Sequence, residues 1–247
     1  MKIIISPAKK MNMDPDTYKP EGLPAFLAYT ELLKNRIQGL SYEEAKALWK
    51  CNDKLAQLNF HRFKNMDLKK NLTPAVMAYE GLQYQHMAPG VLTEEALSYL
   101  GEHLRILSGF YGVLAPFDGV VPYRLEMQAK LTGEGYRDLY EFWDSRIYQA
   151  VLDEDRLILN LASKEYSLAV EKYLQRGDRF VTVEFGEIRD GKLKQKGTFA
   201  KMARGEMVRF LAENQVEDLE EIKEFCELGL RYVPELSGED RICFAVR

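Results

Sequence analysis

"LSGFYGVLAPFDGVVPYRLEM", residues 107–127, is the stretch on which the reading of this chain turns. It holds Gly109, Gly112 and Gly119, Pro116 and Pro122, and the aromatics Phe110, Tyr111, Phe117 and Tyr123, and it closes on Arg124, Leu125 and Glu126. Flexible linkers do not carry so many large apolar side chains, and buried strands rarely carry so much turn chemistry. The segment therefore reads as a compact, rigid loop in which glycines and prolines set the turns and aromatics anchor them in a core. Arg124 and Glu126 stand two apart, so on an extended chain both side chains leave from one face. That pair has two uses: lining a cleft, or forming a buried ion pair that fixes the loop.

Upstream, Thr93 caps a helix that the apolar spacing carries through EEALSYLGEHLRIL to Ser108-Gly109. Before it, MKIIIS is a strand that hands over at Ser6-Pro7 to a loop. Residues 24–37 show helical spacing, and Ser41 with Glu44 forms a capping box for a helix reaching about Lys50. Asn52 caps a further helix over DKLAQLNFHRF, and AVMAY reads as a strand. Downstream, YRDLYEFWDSRIYQAVL reads as one helix, RLILNLA as a buried strand and SKEYSLAVEKYL as a helix begun by Ser163. RFVTVEFGEI and KLKQKG flank Asp190-Gly191, a hairpin signal. FAKMARGEMVRFLAEN is a helix, and RYVPELSGEDRICFAVR gives two closing strands around a Gly-Glu-Asp turn. Strands and helices mix without strict alternation, so the expected class is α+β, a single mixed domain over residues 1–247.

The 247 residues are 46% hydrophobic and 29% charged with a net charge of −4, so any polyanion site must be a local basic face on an acidic protein. No apolar run is long enough to span a bilayer, and the N-terminus lacks a secretory signal. Cys51, Cys226 and Cys243 are odd in number and have no CxxC spacing, which argues for a reducing cytoplasm and buried structural thiols. His61, His86 and His103 form no HxH or HExxH pattern, and no metal or cofactor is expected.

Three stretches carry charge in a usable pattern. Between Lys192 and Arg209 lie six basic residues (Lys192, Lys194, Lys196, Lys201, Arg204 and Arg209) against the single acid Glu206. At helical spacing Lys201, Arg204 and Arg209 share a face, with Gly205 small enough to admit a backbone or phosphate between them. The helix pair over residues 41–64 offers amide groups at the start of its second helix, flanked by Lys50, Asn52, Lys54, Arg62 and Lys64. The loop SPAKK supplies Ser6, Lys9 and Lys10 just after the first strand, where sheet-based sites often form. A solvated charged face, a packed helix pair and a plain surface loop remain the competing readings.

Several segments together resemble one family. ISPAKKM, DKLAQLNFHRF, LRILSGFYGVLAPFDGVVPYRLEM, LYEFWDSRI, ILNLASKEY and FAKMARGEMVRF stand in the order typical of the peroxide stress resistance protein YaaA family. The resemblance covers essentially the whole chain. It implies a cytoplasmic protein with an unusual mixed fold, a helix-hairpin-helix motif and a positively charged cleft. It also implies binding of double-stranded DNA and protection against peroxide with less free iron. On that reading the motif is the 41–64 helix pair, with its hairpin over residues 52–59, although Gln57 and Leu58 stand where a glycine is usual. Ala115 likewise stands where the family often has a basic residue. Lys9, Arg124, Glu126, Lys201 and Arg204 match as they are. The rival function is an enzyme acting on a nucleic acid or nucleotide, with Lys9 as amine nucleophile or clamp and Glu126 as acid or base beside Arg124.

Overall fold

Ile3, Ile4 and Ile5 are fully buried and form most of β1 (Lys2–Ile5), a central strand of an eight-stranded sheet. The structure is a computed structural model and describes residues 1–246; Arg247, the last residue of the expected closing strand, lies outside the described residues. The other strands are β2 (Leu104–Ser108), β3 (Gly112–Leu114), β4 (Leu157–Asn160), β5 (Arg179–Arg189), β6 (Lys192–Lys194), β7 (Leu230–Tyr232) and β8 (Arg241–Val246). Their order is β7-β8-β5-β4-β1-β2-β3, with β6 paired to β5. The five strands β8, β5, β4, β1 and β2 run parallel, and β3, β6 and β7 add antiparallel pairs. The fold is a mixed α and β domain around a mostly parallel sheet. Parallel strands covered on both faces read as unbroken apolar runs, as β1 and β4 do, not as alternations.

Seven helices frame the site and its surroundings: α1 (Leu27–Gln38), α2 (Tyr42–Trp49), α3 (Asp53–Lys64), α4 (Leu82–Met87), α5 (Glu94–His103), α6 (Lys164–Glu171) and α7 (Gly197–Glu213). The capping box at Ser41 and Glu44, the Thr93 cap and the Asp190-Gly191 hairpin all form as expected. Three expectations do not hold. The helix read through residue 107 stops at His103, and Leu104–Ser108 becomes β2 beside β1. Leu100, Leu104 and Leu107 fit a helical stripe, but a fully buried slot against β1 outweighs that spacing. The expected strand AVMAY is a short helix, Ala75–Ala78, followed by the strand Tyr79–Glu80. The single helix expected over residues 136–152 is two, Leu139–Trp143 and Arg146–Val151, broken at Asp144 with φ of 47°.

The 107–127 stretch folds as a β2–β3 hairpin and a return segment that packs back on it. Tyr123 holds the two together, its hydroxyl 2.6 Å from Ser108 Oγ and 2.8 Å from Tyr79 Oη. Val121 N–H donates to Tyr111 Oη at 3.2 Å. Gly112 has φ of +74°, and a Cβ there would lie 2.8 Å from the Trp143 ring, so both backbone and space require glycine. Asp118 Oδ2 accepts the Ala115 N–H at 2.8 Å, yet burial pushes its carboxyl up to about 6, against that hydrogen bond and nearby Arg105. The folded state therefore holds this proton more tightly than the unfolded chain does. Its stabilising contribution is complete below about pH 4 and lost as pH rises through about 6. Asp118→Asn keeps an acceptor oxygen and removes the buried charge. Urea unfolding should find it equal to the parent near pH 4 and about 1–2 kcal/mol more stable above pH 7, allowing for solvent screening of this part-exposed group.

Candidate functional site

β1 and β4 are neighbours whose onward connections leave toward opposite sides of the sheet, β1 to β2 and β4 to β5. At such a switch point the loops beyond the strand ends part and leave a crevice. Here they are residues 6–9 after β1 and residues 161–163 after β4, the latter leading straight into α6. Ser163 N–H donates to Ser6 Oγ at 2.8 Å, Ser6 Oγ donates to Ser163 Oγ at 3.1 Å, and Tyr84 Oη donates to the Ser6 carbonyl at 3.0 Å.

Two cavities meet at Lys9. One, of about 350 Å³, is bounded by Ser6, Lys9, Lys10, Gln83, Ser163, Lys201 and Arg204 among others. The other, of about 230 Å³, is bounded by Lys9, Trp49, Lys50, Arg124 and Glu126 among others. Lys9 Nζ lies 2.7 Å from Glu126 Oε2, and Arg124 Nη2 donates to Glu126 Oε1 at 3.0 Å. Arg124 Nε also reaches the Trp49 carbonyl at 3.4 Å, tying the return segment to the end of α2. Neither Arg124 nor Glu126 lies on a strand; the two still face one way, and the pair is half-buried, tying the loop together while lining a cavity. Lys10 is ion-paired with Glu80 across the short antiparallel pair Lys10–Met11 and Tyr79–Glu80.

Lys201 and Arg204 reach the larger cavity because α7 crosses α4 at Gly205. A Cβ on Gly205 would lie 2.2 Å from the Gln83 carbonyl oxygen and 2.8 Å from the His86 Cβ. The close approach at Gly205 is thus helix against helix, not phosphate against helix. Lys50, Lys201 and Arg204 have no ion-pair partner among the described residues. Burial pulls the Arg204 guanidinium down from its ordinary value, and the charge of Glu184 offsets part of that.

Other expected site residues lie apart. Arg209 does not join Lys201 and Arg204; it is paired with Glu213 one turn on at 2.9 Å. The 52–59 segment is no hairpin but the cap and first half of α3; the turn between helices is Lys50 to Asn52, with Lys50 at φ of 45°. At least one of the amides expected to hold phosphate, that of Leu55, meets the protein's own oxygen. Asn52 Oδ1 accepts the Leu55 N–H at 3.0 Å, and the Asp53 carboxylate holds Lys46 at 2.6 Å and the Tyr42 hydroxyl at 3.1 Å. Lys54, Arg62 and Lys64 line neither cavity, and α3 instead buries Phe63 against Trp49 and Phe110. The thiols also differ from expectation, with Cys243 buried but Cys51 half-buried and Cys226 exposed.

Sequence reading missed Gln83, Trp49 and the second role of Ser163. Gln83 and Trp49 are more than nine-tenths buried, and each carries an N–H without an acceptor. Two larger cavities, of about 780 and 820 Å³, have more carboxylates than cations on their walls and suit an anion less well. Among the described residues no group of three or more His, Cys, Asp and Glu is placed to hold a metal ion, and no helix is long and apolar enough to cross a membrane.

The sequence matches known proteins along its length. A family model described as peroxide stress protein YaaA matches residues 1–236. A UPF0246 protein of Pediococcus pentosaceus is 54% identical over 244 residues, covering 99% of this chain and 97% of the relative. A UPF0246 protein of Desulfitobacterium hafniense is also 54% identical with the same coverage, and one of Lactiplantibacillus plantarum is 48% identical, covering 99% and 98%. Matches of this extent, on a chain whose SPAK loop and 107–127 return segment build one crevice, leave a single conclusion: the chain belongs to the peroxide stress protein YaaA family, also named UPF0246.

Proposed function

We propose that this protein binds double-stranded or locally distorted DNA through phosphates at the cleft around Lys9, and that it acts in the cytoplasm to limit iron-driven damage under peroxide stress. The observation that carries the reading is the set of cations Lys9, Lys10, Lys50, Arg124, Lys201 and Arg204 around two adjoining cavities, three of them without an ion-pair partner among the described residues. Contacts from such cations to phosphate position a protein on DNA without reading sequence. The α2–α3 pair serves as the helix-hairpin-helix element, and its contribution comes from Lys50 at the turn, with Lys54 and Lys64 meeting backbone farther along.

Glu126 separates this from the enzymatic reading, which the 2.7 Å contact between the Lys9 amine and a carboxylate keeps in play. In a binding cleft, Glu126 orients Lys9 and Arg124 and neutralises one charge. Glu126→Gln keeps one acceptor oxygen, enough for Arg124 or Lys9 but not both, removes the negative charge and releases the other cation, so duplex affinity measured by fluorescence anisotropy should be equal or up to about tenfold tighter. In an enzyme the same change would cut turnover about 100-fold or more with binding unchanged. A borohydride-trapped adduct that disappears in Lys9→Ala would establish the enzyme and refute the binder.

A further inference from the structure

Every buried side-chain N–H donor that lacks an acceptor among the described residues belongs to Trp49, Gln83 or Arg204. All three residues border the two cavities that share Lys9, Arg204 standing also on the wall of the cavity of about 820 Å³, whereas the orphaned oxygens of Asn59 and Asp153 lie on neither. An unsatisfied buried donor costs stability unless an oxygen reaches it, and the residues that carry these donors gather around adjoining cavities, Gln83 and Arg204 on the larger and Trp49 on the smaller. Such donors suit an oxygen-rich acceptor, and the charges of Lys201 and Arg204, without an ion-pair partner among the described residues, suit an anion.

We infer that the larger cavity, at the ends of β1 and β4, is a site for one phosphomonoester group, held by Arg204, Lys201, Gln83 and the first turn of α6. Four cations face this cavity, Lys9, Lys10, Lys201 and Arg204, against Glu80 and Glu165. Glu80 is already paired with Lys10, and Glu165 accepts the Gln128 N–H at 3.2 Å. Ser163 opens α6 without capping it by its side chain, because its Oγ is turned to Ser6; Tyr166 N–H donates to the Ser163 carbonyl at 2.9 Å, which leaves the Lys164 and Glu165 amides as donors for a ligand. A cavity of about 350 Å³ equals a cube about 7 Å on a side, whereas the major groove of DNA alone is about 12 Å wide. A duplex therefore lies across the mouth and does not enter. What enters is a group that ends, and a phosphomonoester carries between one and two negative charges near neutral pH, matching Lys201 and Arg204. The shared chemistry has two sources: a free phosphate or nucleotide, or the phosphorylated end of a strand.

This phosphate site goes beyond the duplex-binding reading and stands without it. Thermal unfolding and calorimetric titration of the full chain at fixed ionic strength would use inorganic phosphate, AMP, adenosine, and one short single strand with either a 5′-phosphate or a 5′-hydroxyl. Inorganic phosphate or AMP should raise the midpoint by several degrees at saturation while adenosine does not. If the source is a strand end, the 5′-phosphorylated strand should bind at least tenfold tighter than its 5′-hydroxyl twin. Lys201→Ala, at an exposed side chain without an ion pair, should weaken whichever phosphate binds by about tenfold. Arg204→Gln should do so more strongly where it folds. Adenosine matching AMP together with equal binding of the two strands would overturn the inference, as would an undiminished phosphate effect in Lys201→Ala. Duplex binding that survives such a result would leave the DNA reading standing alone. A phosphate effect without duplex binding would do the reverse.

Discussion

Lys201→Glu combined with Arg204→Gln is expected to lower duplex affinity by at least 100-fold at moderate salt while the protein stays folded. Both residues lie on α7 and reach the larger cavity, and neither has an ion-pair partner among the described residues. Each charge-assisted phosphate contact is worth about 1–3 kcal/mol, so losing two and placing a negative charge at 201 removes about 3–6 kcal/mol of binding. Glutamine is the choice at 204 because the guanidinium is largely buried; a carboxylate there would be desolvated and would sit within the field of Glu184. Circular dichroism and urea unfolding serve as the control for folding. Full duplex affinity in a folded double variant would place the DNA contacts elsewhere.

Gly205→Ala is expected to be the most damaging single-methyl change in the molecule. The added Cβ would lie 2.2 Å from the Gln83 carbonyl oxygen and 2.9 Å from the Met87 amide nitrogen, both backbone atoms that move only if α4 moves. The cost is about 3 kcal/mol or more, read as a fall in the urea midpoint. Because α4 also carries Gln83, the shift opens the cavity that Lys201 and Arg204 face, and affinity for phosphate falls with stability. A variant of unchanged stability but weaker DNA binding would restore the reading of Gly205 as a gap for a phosphate. Unchanged stability and binding would mean that the helices are not packed as described.

The starts of the helices with caps written into them, at Ser41, Asn52 and Thr93, were legible in the residues because side-chain capping is local chemistry. Leu104–Ser108 misled because its spacing fits a helix and its strand character comes from β1, about a hundred residues away in sequence. The mostly parallel sheet was hidden for the same reason: parallel neighbours are distant in sequence and leave no hairpin signal. Lys9, Arg124, Glu126, Lys201 and Arg204 stood out in the sequence by charge and by family pattern, and the structure gathers them around adjoining cavities. Gln83 and Trp49 had no such signal, since an orphaned N–H exists only once packing has removed its water. Arg209 and the Leu55 amide of α3 differ because their partners, Glu213 and Asn52, sit within four residues and satisfy them locally.

The most direct test of phosphate binding in the Lys9 cleft is the salt dependence of duplex affinity, measured by anisotropy for the parent and for the Lys201→Glu/Arg204→Gln variant. The parent should lose affinity steeply, with a log–log slope of about −0.9 for each phosphate neutralised, and the variant's slope should be shallower by about two contacts. A flat slope in the parent, or the same steep slope in both proteins, would contradict the account.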